Sequence, residues 1–468
     1  MAAVLRENCE DIDVEILDCP IEEMGWHATE KAMGRRKPDI LCIGDETVSS
    51  HEALKLARMT KDLFPECIVI AGGLYFAHAI EDSLRDHPID FIVRGEGEFT
   101  LLELVRALKM RRSYRAIAGL AYMHKGQVHV NPLREPVDMD QLPMPAYDLL
   151  PMEKYGKGST NHKDFVALEH SRGCTGNCNF CVLWKQMGKP SGKGVRSCFR
   201  TKSVKKSVDE VLELTEKYGR RTFCWVDPSW NLDPKWNDAF SREMINHDLD
   251  ITHSAWMRSD CIVRDEKCGT FRRQILAGLR QAMIGVERTD DAELSGLSKN
   301  LSFQTTKEAF DILSRHPDVL SVATYIYGIP DETPRSMRNF YTRLSEIPFD
   351  IGVPIPLTPN PGTQQFEELR NLGLVEVHDY RFYNFVNPIA RSKHMSRNQL
   401  LVNMIWNELR VRTKKEQLQE KKEGRRSTAR RNLAFSKAKM TLRYVRGMLQ
   451  ESITGTPYNY NIKPEWYE

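Results

Sequence analysis

Short apolar strands alternate with amphipathic segments in two long runs of this chain, and that alternation restricts the fold more than any other feature. It calls for parallel sheets covered by helices, an α/β architecture. In the first run, strands are expected at residues 14–18, 40–44, 67–71 and 91–94, with helices at 21–33, 51–62, 77–85 and 99–109. The pattern is that of a doubly wound, flavodoxin-like sheet. The second run, from residue 165 to 369, carries about six strands, enough for a partial (β/α)6 barrel with its chemistry at the carboxyl ends of the strands.

Between the runs, residues 116–130 alternate around Lys125 and Gly126 as a small hairpin. A connector at 139–148 follows, whose Pro143 and Pro145 exclude helix. The expected division is therefore 1–112, 113–160, 161–370 and a helical, basic segment at 371–468. In that last part Ser396 is an expected helix N-cap. The basic pairs from Lys414 to Arg431 allow a solvated helix pair, attraction of an anionic substrate or contact with an anionic membrane surface. Aromatic residues do not interleave with them, so nucleic acid is not expected as a partner.

No apolar run approaches the roughly 18 to 20 residues that cross a bilayer, and the start builds no apolar signal region. The 11 cysteines are odd in number and scattered, apart from one cluster, which points to a reducing cytoplasm.

That cluster is Cys174, Cys178 and Cys181, spaced C-x3-C-x2-C, directly after the first strand of the second run. Three thiols leave one coordination position open, as on an iron-sulfur cube with one ligand-free iron, whereas structural zinc normally takes four protein ligands. A zinc knuckle is the alternative. Polar groups recur at later strand ends: Asp227, Arg258, Glu287 and the segment Gly328-Ile-Pro330-Asp-Glu-Thr333. Each alone would equally suit a structural ion pair. Arg258 offers a planar fork suited to a carboxylate.

With Phe180 before the third cysteine, the loop has the C-x3-C-x-aromatic-C form and resembles the radical S-adenosylmethionine (SAM) superfamily. The resemblance implies a 4Fe-4S cluster on Cys174, Cys178 and Cys181, and SAM contacts from Phe180, Asp227, Arg258, Glu287, Gly328 and Pro330. The first run, with Ile68-Val-Ile-Ala-Gly72-Gly73 and Asp90-Phe-Ile-Val-Arg-Gly95-Glu96-Gly-Glu98, resembles the cobalamin-binding domain of one radical SAM subgroup. It implies cobalamin contacts from Thr47, Ser49, Gly72, Gly73, Gly95 and Glu96. The D-x-H-x-x-G lower-ligand motif is absent after Asp45, which implies base-off cobalamin. His51 is the nearest substitute ligand and reads more simply as surface. Residues 1–10 read as the family's first helix, so the domain is expected to lack its first strand, as from a late start codon.

The barrel further resembles the anaerobic magnesium-protoporphyrin monomethyl ester cyclase group, in residues 230–260, 285–290 and 323–330. This implies an enzyme that generates a 5′-deoxyadenosyl radical and acts on an unactivated carbon of a small-molecule substrate. The electron donor would be a flavodoxin or ferredoxin. A cobalamin-dependent C-methyltransferase is the rival, and a non-catalytic cobalamin or metal sensor is the reading from another class. Whether Tyr325 or Tyr327 gives up a proton or hydrogen atom is open at this level.

Overall fold

The computed structural model describes residues 1–156, 164–192, 194–410, 428–460 and 467. Its first sheet has the order β1-β2-β3-β4-β5. Strands β1 (Ile40–Asp45), β2 (Ile68–Gly73) and β3 (Phe91–Val93) are parallel, and β4 (Leu120–His124) and β5 (Gln127–Val130) continue antiparallel as the expected hairpin. Both faces are covered. Val4 and Leu5 of helix Ala2–Asn8 join Leu101, Leu104 and Val105 of helix Glu98–Lys109 against Ile70, Phe91 and Val93. Ala53 and Ala57 of helix Ser50–Leu63 pack with Phe76 and Leu84 against Val69, Ala71 and Ile92.

Two expectations for this region fail. Residues 14–18 form no strand. In the doubly wound order this segment would hydrogen-bond to the sheet's central first strand; among the described residues no strand precedes β1, so 14–18 has no neighbour to pair with. The next helix is Trp26–Arg36 and not 21–33, because Pro20 lies in a turn in which the Asp18 carboxylate accepts from the Ile21 N–H at 3.1 Å.

The barrel opens with β6 (Phe165–Leu168). Short hairpin strands then frame the cysteine loop: β7 (Ser171–Gly173), β8 (Lys189–Ser191), β9 (Gly194–Arg196) and β10 (Phe199–Thr201), paired as β7 with β10 and β8 with β9. The main sheet continues with β11 (Thr222–Trp225), β12 (Thr252–Trp256), β13 (Leu279–Glu287), β14 (Leu320–Tyr327) and β15 (Ile351–Pro356). All six main strands are parallel, in the order β15-β14-β13-β12-β11-β6. This is the partial (β/α)6 barrel expected.

Strand alternation divides its residues cleanly. Val166, Leu168, Phe223, Trp225, Ala255, Ile284 and Ala323 pack outward under helical residues such as Val211, Phe240, Ile262 and Phe310. Tyr325 and Tyr327 belong to the same outer layer. Tyr325 sits among Phe340, Tyr341 and Phe349, and both tyrosines are fully buried. Neither phenol reaches the barrel interior. Beyond the barrel, helix Arg397–Arg410 is capped by Ser396, whose hydroxyl accepts from the Gln399 N–H at 3.3 Å. The basic pairs Lys414-Lys415, Lys421-Lys422 and Arg425-Arg426 lie outside the described residues. No described helix is long and apolar enough to cross a membrane.

Candidate active site

The cysteine loop leaves β6 through residues 169–173. Gly173 has φ +79°, and a β-carbon there would run into the Cys198 carbonyl, so only glycine lets β7 lie against β10 at this point. The loop is then sewn to distant segments. Asn179 donates from Nδ2 to the Gly296 carbonyl at 2.8 Å and from its backbone to the Leu297 carbonyl at 3.2 Å. Trp184 Nε1 donates to the Cys178 carbonyl at 3.0 Å, and the Gly176 N–H donates to Cys174 Sγ at 3.3 Å.

These ties bring the thiols together with two of the strand-end groups. A β-carbon on Gly176 would stand 3.5 Å from Cys174 Sγ, 4.0 Å from Cys178 Sγ and 3.9 Å from Arg258 Nη1. The carboxylate of Glu287 acts on both Cys178 and Cys181. Burial pushes the Cys178 thiol up to about 11 and raises Cys181 as well. A cationic centre is therefore needed to make them thiolates, and binding one releases protons. All three cysteines are free, and no three His, Cys, Asp or Glu side chains among the described residues converge on a single ion. Soft donors around one shared space suit a cluster with several metal corners better than one zinc. The residues fit a 4Fe-4S centre.

Arg258 is held by Asp260, which accepts from Nε and Nη2 at 3.0 Å each. Glu287 lies beyond a register shift in β13 with φ +58°, a left-handed conformation that costs a non-glycine residue energy. Its Oε1 accepts from Lys299 Nζ at 2.8 Å. A side chain on Gly285 would collide with that pair. Phe180 packs with Ile329 against Leu297, Ile326, Leu357 and Leu369, which brings the cysteine loop to the Gly328–Pro330 segment. Gly328 has φ +84° and donates its N–H to Glu332, while the Pro330 carbonyl accepts from the Lys393 N–H at 2.8 Å. Beneath them lies an ion pair the sequence did not single out: Arg288 and Glu332, both fully buried, 2.8 Å apart.

Asp227 is engaged on one side by the start of the cysteine loop. Its Oδ1 lies 2.9 Å from His170 Nδ1 and accepts from the His170 N–H at 3.1 Å, the Ser171 N–H at 2.5 Å and Ser171 Oγ at 2.6 Å. Burial opposes the charge, but His170 and Ser171 outweigh it and hold the carboxyl below its usual range. Asp227 anchors the peptide entering the cysteine loop through Oδ1, while its Oδ2 is buried without a hydrogen-bond partner.

At the cobalamin end, a cavity of about 530 Å³ opens between the domains, lined by Gly95, Glu96, His78, Arg94, Trp184 and Lys185 among others. Of the six residues expected to touch cobalamin, Gly95 and Glu96 line it, and Gly72, Gly73, Thr47 and Ser49 do not. Gly72 and Gly73 end β2, where Gly73 at φ +105° lies tight against the Asp45 backbone. The turn Thr47–Ser49 packs against Tyr380–Phe382, and the Ser49 hydroxyl is spent on the Glu46 backbone. His51 is exposed. Glu96 is also engaged: it pairs with Arg200, accepts from the Val137 N–H at 2.8 Å and lies 3.6 Å from Arg172. Arg172 itself bonds Glu98 at 2.8 Å and Glu169 at 2.6 Å, joining the two domains beside the cysteine loop. Arg94 Nε and both Asp45 carboxylate oxygens are buried without partners. Such orphaned groups at strand ends suit a ligand rimmed with amides, as cobalamin is.

Residues 1–105 match the B12 binding domain family, and residues 168–344 match the radical SAM superfamily. An uncharacterized methyltransferase of Pyrococcus horikoshii is 28% identical over 402 residues, covering 86% of this chain and 83% of the relative. The anaerobic magnesium-protoporphyrin IX monomethyl ester cyclase of Rubrivivax gelatinosus is 28% identical over 402 residues, 84% and 69% of the two chains. The hopanoid C-3 methylase of Methylococcus capsulatus is 23% identical over 389 residues, 81% and 70%. Among solved structures, the methyltransferase TsrM from Kitasatospora setae, with cobalamin and a [4Fe-4S] cluster bound, superposes with TM-score 0.63 at 18% identity, covering 79% of this chain and 71% of TsrM. The radical enzyme OxsB gives 0.63 at 17% identity, with 90% and 58% covered. At these identities the superpositions show the fold.

Proposed function

This chain belongs to the cobalamin-dependent radical SAM enzymes, a B12-binding domain followed by a radical SAM barrel, and from that premise we propose that it carries out an oxidative, cyclase-type reaction at an unactivated carbon of a small organic substrate. The observation that carries the reading is the convergence of Cys174, Cys178 and Arg258 on the space beside Gly176, with Glu287 and Lys299 at its side.

When bound, a 4Fe-4S cluster and SAM supply the 5′-deoxyadenosyl radical that removes a hydrogen atom, and cobalamin supplies a second reactive metal centre. The chain's own part is placement. Cys174, Cys178 and Cys181 would hold the cluster. Arg258, kept rigid by Asp260, presents its remaining Nη1 toward the thiols, where a SAM carboxylate needs a planar cationic partner. Glu287, balanced by Lys299, would meet the SAM amino group or ribose hydroxyls, and the backbone at Gly328 and Pro330 the adenine. Gly95 and the orphaned Arg94 and Asp45 groups would hold cobalamin on the opposite side.

A second reading is methyl transfer to carbon, favoured by the methyltransferase names among the relatives. Methyl-labelled SAM separates the two: label retained in the product supports transfer, and a cyclised or hydroxylated product without it supports the first reading. A flavodoxin or ferredoxin would serve as reductant, in the cytoplasm, and the basic pairs after Arg410 would be where an anionic membrane surface is met. The test of the core assignment is anaerobic reconstitution with iron and sulfide, then a dithionite assay for 5′-deoxyadenosine. Formation should vanish in Cys174→Ala, Cys178→Ala and Cys181→Ala; unchanged formation in any of them would sink it.

A further inference from the structure

The face of the barrel sheet turned away from the helices mixes accessible apolar side chains with a few uncharged polar ones. Register and alternation place Cys224 and Val226 on it from β11 and its end, Trp256 from β12, Met283 from β13, and Ile351 and Val353 from β15. Four of these are large hydrophobic side chains that stay accessible on this face: Val226 at 54%, Ile351 at 45%, Trp256 at 37% and Val353 at 37%. Accessible apolar side chains on the inner face of a curved sheet suit a ligand site.

The charges around this face are already satisfied. Glu169 bonds Arg172, Arg258 bonds Asp260, and Glu287 bonds Lys299. All of them stand at the strand ends beside the cysteine loop. The deeper polar groups are neutral: Ser254 Oγ donates to the Phe223 carbonyl at 3.5 Å, Thr324 Oγ1 to the Ile284 carbonyl at 3.4 Å, and Gln281 brings an uncharged amide to the same face. A substrate carrying a charge into this space would lose its hydration with no counter-charge to replace it, which costs far more than an apolar wall returns. An uncharged apolar body gains about 25 cal/mol for each Å² it removes from water.

We propose that the substrate of this enzyme has an uncharged, apolar body that lies against Val226, Trp256, Met283 and Val353 below the cysteine loop, with any charged groups held at the mouth. This rests on the radical SAM reading of the site above it.

The probe is N-phenyl-1-naphthylamine, a neutral apolar fluorophore, titrated into the anaerobic holoenzyme loaded with cluster, cobalamin and SAM. The wild type is expected to bind it saturably. Val226→Asp and Val353→Asp are expected to weaken binding about tenfold or more, the loss of some 1.4 kcal/mol, while Leu442→Asp, on the exposed face of the C-terminal helix, leaves it unchanged. If the aspartates do not fold, Val226→Thr with Val353→Thr, nearly isosteric, should still weaken the probe measurably. Equal probe affinity in the wild type and these folded variants, or no binding to the wild type, overturns the proposal. After the titration, dithionite is added to the same samples as the one-electron donor and substrate-free SAM cleavage by the wild type is read; its absence overturns the radical SAM premise itself, whatever the probe does.

Discussion

Lys299 Nζ stands 2.8 Å from Glu287 Oε1 and 3.0 Å from the Gly285 carbonyl, so one lysine neutralises the carboxylate and ties down the backbone shift that presents it. Both side chains are largely buried. Lys299→Met leaves that carboxylate unpaired, at a cost of about 1–3 kcal/mol. Denaturant unfolding should show the loss, and 5′-deoxyadenosine formation should fall with it. Lys299→Arg, which keeps the charge, should recover part of both.

The contact between the domains is electrostatic where it meets the cysteine loop. A double-mutant cycle on Glu98→Gln and Arg172→Gln should give a coupling energy of about 1–3 kcal/mol. The pair is mostly shielded from solvent, so the coupling should survive moderate salt better than a surface pair would. Additive effects of the two changes would show that the contact carries no energy.

Asp45 gives a pH signature. Burial, with Glu46 adding to it, raises its carboxyl from 3.8 to about 8. Between those values the folded chain keeps a proton that the unfolded chain has released, so this group makes stability fall as pH rises through the window, by at most about 1.4 kcal/mol per unit. Asp45→Asn should flatten that fall and raise the melting temperature of the cofactor-free protein near the upper end. An unaltered pH profile would refute the assignment.

Tyr327 tests the outward orientation of β14. Its hydroxyl is buried without a hydrogen-bond partner, so Tyr327→Phe removes a desolvated group and should be neutral or stabilising. SAM cleavage and product formation should persist. Loss of product with normal SAM cleavage would mean that the phenol reaches the substrate after all.

The sequence made the barrel legible because strand periodicity, helix spacing and the cysteine spacing are all local signals. It also led to Arg258 and Glu287, each a charge at a strand end. It could not supply their keepers: Lys299 is 12 residues from Glu287, and Arg172 is 74 residues from Glu98, pairings that only the folded chain creates. The partners of Asp227 were hidden for the same reason. A carboxylate closing a strand looks free in one dimension, but the parallel pairing of β11 with β6 brings it under His170 and Ser171. Residues 14–18 misled differently, since a strand needs a neighbour as well as an apolar pattern.

Arg172 lies two residues before Cys174 and is gripped by Glu98 across the domain boundary and by Glu169 from within the barrel. Through this one guanidinium the position of the N-terminal domain is tied to the peptide that carries the first cysteine. Admission of a large cofactor between the domains and the shape of the cysteine loop become one mechanical coordinate, so loading the two metal centres in different orders should proceed at different speeds.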